Sequence, residues 1–152
     1  MSRRDVIRMT EPEVRAFLRG THTMNVASHG PDGRIHLVAM WYGFVGEDLA
    51  MWTFPKSQKV KNLRRDARFT ALVEEGEDYS SLKGVELAGT AEIVEDYAWI
   101  RAAVDSLSER HMGGGGDAIA AFLDDQARKR VGIKLAVDHV ASWDHTKLAG
   151  GY

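Results

Sequence analysis

Thr53, Ser57 and Lys59 lie in one short stretch and carry the groups that bind a phosphate, namely two hydroxyls and an ammonium. The stretch reads Thr53-Phe54-Pro55-Lys56-Ser57-Gln58-Lys59-Val60-Lys61-Asn62-Leu63-Arg64-Arg65. Pro55 cannot donate to a strand ladder, so an extended segment should stop there, and Ser57 is a residue type that caps helices. A helix beginning after Ser57 would aim its free N–H groups and its positive dipole end at an anion beside the two hydroxyls. From Lys56 to Arg68 six residues are basic (Lys56, Lys59, Lys61, Arg64, Arg65 and Arg68) and Asp66 alone is acidic, although the whole chain carries a formal net charge of -2. The positive charge is therefore local. The same run also fits a solvated basic helix face.

Large polarizable side chains flank this stretch. Met40, Trp41, Met51 and Trp52 stand near it in the chain, and Trp143 lies near the C-terminus. Each alone reads as core packing; together they supply the apolar walls that a cofactor cleft needs beside a few polar anchors. Other chemistries find less support. The chain has no cysteine, hence no disulfide framework, thiolate metal site or cysteine nucleophile. The six histidines (His22, His29, His36, His111, His139 and His145) are not spaced as metal pairs on one element, so no metal site is expected. There is no Gly-x-Ser-x-Gly elbow and no Gly-x-Gly-x-x-Gly phosphate loop; the run Gly113 to Gly116 follows no strand and reads as a flexible break.

The elements that must position these residues are mostly strands. Thr10-Glu11-Pro12-Glu13 has the pattern of a capping box and opens a short amphipathic helix through Val14, Phe17 and Leu18, ending at Gly20. Met24 to Ser28, Ile35 to Tyr42 and Leu49 to Thr53 read as three strands joined by turns at Gly30-Pro31-Asp32-Gly33 and at Gly43 to Asp48, which predicts an antiparallel meander. After the basic helix, Phe69 to Val73 and the alternating run Val85 to Ile93 predict two more strands, with a bend at Gly89. Asp96 to Ser108 is helical, Asp117 can cap another helix, and Val131 to Val137 is the sixth strand. The tail from Trp143 to Tyr152 should be either disordered or docked, for instance on a partner subunit. Six strands with peripheral helices predict a mainly β fold closed as an antiparallel barrel.

A chain of 152 residues with 28% charged and 44% hydrophobic residues is expected to form one domain, residues 1–152. It lacks the overall basic excess of a nucleic-acid binder and any stretch long enough for a membrane span, so neither partner is expected. The N-terminus does not read as a signal peptide, and the expected location is the cytoplasm.

Trp52-Thr53, a short gap, and Ser57-x-Lys59-x-x-Asn62-Leu63-Arg64-Arg65-Asp66, after the hairpin around Gly30 to Gly33 and before a strand with Gly89, resemble the flavin and deazaflavin oxidoreductases related to pyridoxamine 5'-phosphate oxidase. The resemblance spans about Glu11 to Val140. It implies a six-stranded FMN-binding split β-barrel and a homodimer with the cofactor site at its interface. It implicates Thr53, Ser57, Lys59, Lys61 and Asn62 at the cofactor phosphate, and Val38, Ala39, Met40 and Trp41 at the ring. The chain lacks an Arg-x-x-x-Leu-Lys segment, so pyridoxamine-phosphate oxidation itself is not implied. The tail Trp143-Asp144-His145-Thr146-Lys147-Leu148 is similar to the branch that uses coenzyme F-420, a deazaflavin with a phosphate and an oligoglutamate tail, and adds Trp143 and Lys147 to the implied contacts. Lys61, Arg64, Arg65 and Arg68 would suit that extra charge. The activity implied is hydride transfer from a reduced deazaflavin to a small conjugated acceptor, with FMN as the alternative cofactor and a carrier without turnover as the alternative role. No catalytic residue is assigned; Tyr42 and His145 are side chains that could donate a proton.

Overall fold

The computed structural model describes residues 2–20 and 23–148, and its strands form one antiparallel sheet whose two edges are joined by a single residue. The strands are β1 (Thr23–His29), β2 (Ile35–Trp41), β3 (Gly43–Val45), β4 (Asp48–Thr53), β5 (Arg68–Glu75), β6 (Lys83–Val94) and β7 (Val131–Asp144). Their order is β2-β1-β5-β6-β7-β4-β3. Because Tyr42 alone connects β2 to β3, the sheet must curl until its edges approach, which gives the expected split barrel. The helices are α1 (Arg3–Ile7), α2 (Glu11–Arg19), α3 (Gln58–Arg65), α4 (Tyr97–Met112) and α5 (Asp117–Ala127). None is long and apolar enough to cross a membrane.

The barrel interior follows from alternation. Met24 and Val26 of β1, Met51 of β4, Ala71 and Val73 of β5, Val85 and Leu87 of β6, and Ile133 and Leu135 of β7 are buried in one cluster. A second cluster lies outside β4, where Ile100 and Val104 of α4 and Leu123 and Ala127 of α5 pack with Trp52. Strand β4 is thus covered on both faces, with Thr53 turned to the barrel side and Trp52 to the helices. Gly89 marks a register shift between β6 and β7, and a Cβ there would run into the Ala136 carbonyl oxygen.

Several expectations are corrected. There are seven strands rather than six: the stretch read as a turn, Gly43 to Asp48, contains β3, which forms a tight hairpin with β4. The meander breaks there too, since β4 pairs with β3 and β7 and not with β2. Gly116 rather than Asp117 occupies the cap position of α5. The last strand runs on to Asp144, with Trp143 opposite Gly84. The tail therefore docks on its own chain through residue 148: the His145 N–H donates to the Leu82 carbonyl at 2.9 Å, and Lys147 Nζ reaches Glu13 Oε2 at 2.7 Å. His22, Gly150, Gly151 and Tyr152 lie outside the described residues.

Candidate functional site

Strand β4 delivers Thr53, and α3 brings Lys59 back to it. After Thr53 the chain turns, closed by the Ser57 N–H donating to the Phe54 carbonyl at 3.1 Å, and Lys59 in the first turn of α3 donates from Nζ to Thr53 Oγ1 at 3.1 Å. Lys59 has no carboxylate partner among the described residues, and burial pushes its ammonium below its ordinary pKa. Ser57 occupies the helix-cap position, yet its side chain makes no capping bond and its buried Oγ has no hydrogen-bond partner. This corrects the expected cap. A helix cannot satisfy its own first N–H groups, so free backbone donors share the first turn of α3 with an orphan hydroxyl and a carboxylate-free ammonium. A phosphate group fits that donor set.

The rest of α3 holds the cradle in place. Asn62 is fully buried; its Nδ2 donates to Ser28 Oγ at 3.1 Å, and its Oδ1 accepts from Gln58 Nε2 at 2.8 Å. The amide therefore ties α3 to β1. Arg64 pairs with Glu95 at 2.8 Å, Arg65 donates to the His29 carbonyl, and Arg68 pairs with Asp66 at 2.7 Å, holding that carboxyl well below the usual range. Lys56 and Lys61 are exposed, and their side chains make no hydrogen bond or ion pair among the described residues.

The expected ring residues fall on β2. Val38 and Met40 turn partly inward; Ala39 and Trp41 point outward, where Trp41 stacks on His111 with ring centroids 4.5 Å apart. They belong to the opposite sheet edge from the β3–β4 hairpin, linked to it through Tyr42. Trp143 and Lys147 are more remote. β7 starts opposite Thr53 and ends opposite Lys83, a run of about 43 Å along the strand at roughly 3.3 Å per residue, which sets Trp143 and Lys147 at its far end from Thr53. Of the possible proton donors, Tyr42 is fully buried, its hydroxyl donates to the Leu18 carbonyl at 2.6 Å, and burial pushes its pKa up to about 12. His145 Nδ1 lies 2.7 Å from the Tyr79 carbonyl oxygen.

Two residues near the cradle escaped the sequence reading. His36 faces inward opposite Ser28, with its Nδ1 buried and unpartnered. Arg130 immediately precedes β7, with its guanidinium 3.5 Å from the Phe54 ring centroid and 5.4 Å from that of Trp52. Only the β4–β7 pairing brings it there. Grooves lie elsewhere too, among them one of about 550 Å³ on the outer sheet face by Ala27, Ile35, Thr70 and Ala88, one of about 1000 Å³ between α1 and the far end of β7, and one of about 520 Å³ between Phe44 and α4.

The comparisons with known proteins agree with this architecture. No curated protein matches the sequence. A conserved hypothetical protein, Rv2991 from Mycobacterium tuberculosis, has a solved structure 38% identical over 100% of this chain and 95% of its own, with a TM-score of 0.92. A solved F420 reductase is 23% identical over 83% of this chain and 94% of its own, with a TM-score of 0.66. HutZ, the heme storage protein from Vibrio cholerae, is 17% identical over 86% of this chain and 92% of its own, at 0.64, a likeness of fold alone. The family described as pyridoxamine 5'-phosphate oxidase matches residues 10–144, and with the split barrel already in view the chain belongs to that flavin-binding family.

Proposed function

We propose that the chain is a cytoplasmic oxidoreductase that binds coenzyme F-420 and passes hydride to a small conjugated organic acceptor. The observation that carries the reading is the cradle at the start of α3, where Lys59 Nζ meets Thr53 Oγ1 at 3.1 Å beside the unpartnered Ser57 hydroxyl. When bound, the deazaflavin supplies the hydride at its ring carbon. The residues of this chain anchor the phosphate at Thr53, Ser57 and Lys59, with Lys61 at its margin, and offer β2 as a wall for the ring. Asn62 serves by fixing α3, and with it the cradle, against β1. An F420 reductase among the solved structures that share this fold is in keeping with a deazaflavin.

The site is completed by a second copy of the chain. Ile35, Leu37 and Trp41 on the outer face of β2 are 59%, 66% and 53% exposed, and the outer row that begins at Leu37 continues through Ala27, Thr70 and Ala88 to His139 across five strands, mixing small apolar residues with a threonine and a histidine. A face of that extent is the kind that self-association buries. It would also bring the far end of a second β7, with Trp143 and Lys147, toward the first cradle.

Fluorescence-quench titrations with coenzyme F-420 and with FMN test the cofactor. Tight binding of the deazaflavin is expected; tight binding of FMN alone moves the chain to the flavin branch, and binding of neither overturns the reading. Stopped-flow oxidation of the reduced cofactor by an added acceptor separates an enzyme from a carrier. For the assembly, Leu37→Glu should give a monomer by light scattering and abolish cofactor binding, whereas a variant that remains dimeric rejects this face.

A further inference from the structure

We propose that Arg130 forms a second anion subsite beside the cradle and receives the carboxylates of the cofactor's tail beyond its phosphate. The inference rests on the deazaflavin reading above and goes further by assigning the tail to a residue outside the basic helix.

Arg130 lacks the partner that its surroundings would ordinarily provide. The carboxylates one turn earlier on α5 are engaged by other cations, Asp124 by Arg128 at 3.2 Å and Asp125 by Lys129 at 2.7 Å. Arg130 makes no ion pair among the described residues; its Nη2 donates to the neutral Gln126 Oε1 at 3.0 Å. The planar guanidinium lies over the Phe54 ring and near Trp52, which fixes its plane and leaves donor edges for a carboxylate. Phe54 is itself 60% exposed, so the stack borders solvent.

Position decides what this cation can reach. Thr53 pairs with Val131 and turns to the barrel side, while Trp52 turns to the helices; Arg130 and Phe54 each lie one residue beyond that last pair. The two cationic points therefore straddle one strand end, Lys59 on the barrel side and Arg130 on the other, with exposed Lys56 in the connecting turn. A ligand with one phosphate satisfies the first point alone. One whose chain continues from the phosphate into carboxylates can satisfy both. Of the cations first suggested for that tail, Arg64 and Arg65 of α3 and Arg68 at the start of β5 are already tied to Glu95, the His29 carbonyl and Asp66, which leaves exposed Lys61 in addition to Arg130.

The test compares Arg130→Gln and Arg130→Lys with the unaltered protein, using F-420 with its glutamyl tail, the same deazaflavin phosphate without glutamates, and FMN as probes. Thermal unfolding first establishes that the variants are folded. Arg130→Gln should weaken the tailed cofactor roughly tenfold, the loss of one charge-assisted contact at a half-exposed site, and change FMN less than about twofold. Arg130→Lys should recover part of the loss, and the salt dependence of tailed binding should flatten in Arg130→Gln. Equal losses for all three probes would make Arg130 a mere support of the strand end and overturn the subsite while leaving the cofactor reading intact; no loss for the tailed probe overturns it equally. If the unaltered protein binds none of the three, the subsite and the reading fall together.

Discussion

Arg110 and Lys59 are both half-buried cations reaching into the barrel from a helix, and they are treated in opposite ways. Arg110 donates from Nε to the Tyr42 carbonyl at 3.1 Å, from Nη1 to Arg19 at 2.8 Å, and from Nη2 to Leu18 and Gly20, while its guanidinium lies 4.9 Å from the Tyr42 ring centroid and 5.1 Å from that of Phe44. It closes the C-terminal carbonyls that α2 cannot satisfy itself. Lys59 has one neutral hydroxyl for company, next to a serine with none. A buried polar group without a partner costs stability, and the same fold shows at Arg110 how fully it can provide partners. On the proposed function, the difference separates a finished joint from a site prepared for a ligand.

The sharpest way to break this comparison is Arg110→Ala. Loss of the shared donor strands several carbonyls at once and removes the cation from two rings, so unfolding in urea should show a destabilisation of about 2–4 kcal/mol. Cofactor affinity, measured where the variant is still folded, should stay within about twofold. A stable variant with lost affinity would reverse the roles assigned to the two ends.

Lys59→Ala should do the converse. Cofactor binding is expected to weaken by about 1.5–3 kcal/mol through the lost charge-assisted contact, with no loss of stability, because the ammonium sits desolvated and without a counter-charge. The pH dependence has a definite sign. Burial lowers the Lys59 pKa in the folded chain, so the unfolded chain binds more protons between that lowered value and 10.5, and stability rises with pH across this window. Phosphate binding needs the charged form, so affinity should fall over the same window, and both trends should vanish in Lys59→Ala. Affinity independent of pH there, or unchanged by the substitution, removes Lys59 from the phosphate site.

Ser57→Ala sharpens the contrast at smaller amplitude. Deleting an orphan hydroxyl should leave the urea midpoint unchanged or slightly raised, while cofactor affinity falls by about 1 kcal/mol. A destabilised variant would mean that the hydroxyl serves the helix after all.

How far these roles could be read from the chain depends on sequence separation. The return of Lys59 to Thr53 was legible because Thr53, Pro55, Ser57 and Lys59 are neighbours, and the capping box of α2 because Thr10 and Glu13 are three residues apart; the structure has both reciprocal bonds of that box. The alternation that made Val85 to Ile93 a strand also held. Missed were the partners set by distant pairing. Nothing near β4 announces that its neighbour is β7, so the placement of Arg130 over Phe54 was invisible, as was that of Arg110 against α2. Strand β3 escaped because two residues between Gly43 and Gly46 carry too little periodicity to distinguish a strand from a turn. What the tail docks on was hidden for a related reason: Trp143 packs over Gly84, where a Cβ would meet its ring, and that vacancy lies far away in sequence.

The smallest expected effect concerns that tail. Lys147 Nζ meets Glu13 Oε2 at 2.7 Å and the Arg8 carbonyl at 2.9 Å, and the first of these bonds, with those from Thr10, holds the Glu13 carboxyl down to about 2. Glu13 therefore contributes stability that is complete above its ordinary value of 4.5 and is lost as pH falls through about 2. In Lys147→Ala the carboxylate keeps its bonds from Thr10, so its pKa should recover only part of the way, and faster hydrogen exchange at residues 145–148 should be the main result. Because the charge of Lys147 is already met within its own chain, cofactor affinity should change less than about threefold, as for an exposed ion pair. A loss matching that of Lys59→Ala would mean that Lys147 leaves Glu13 when the cofactor binds, and the tail of a second copy would then belong with the prepared site rather than with the finished joints.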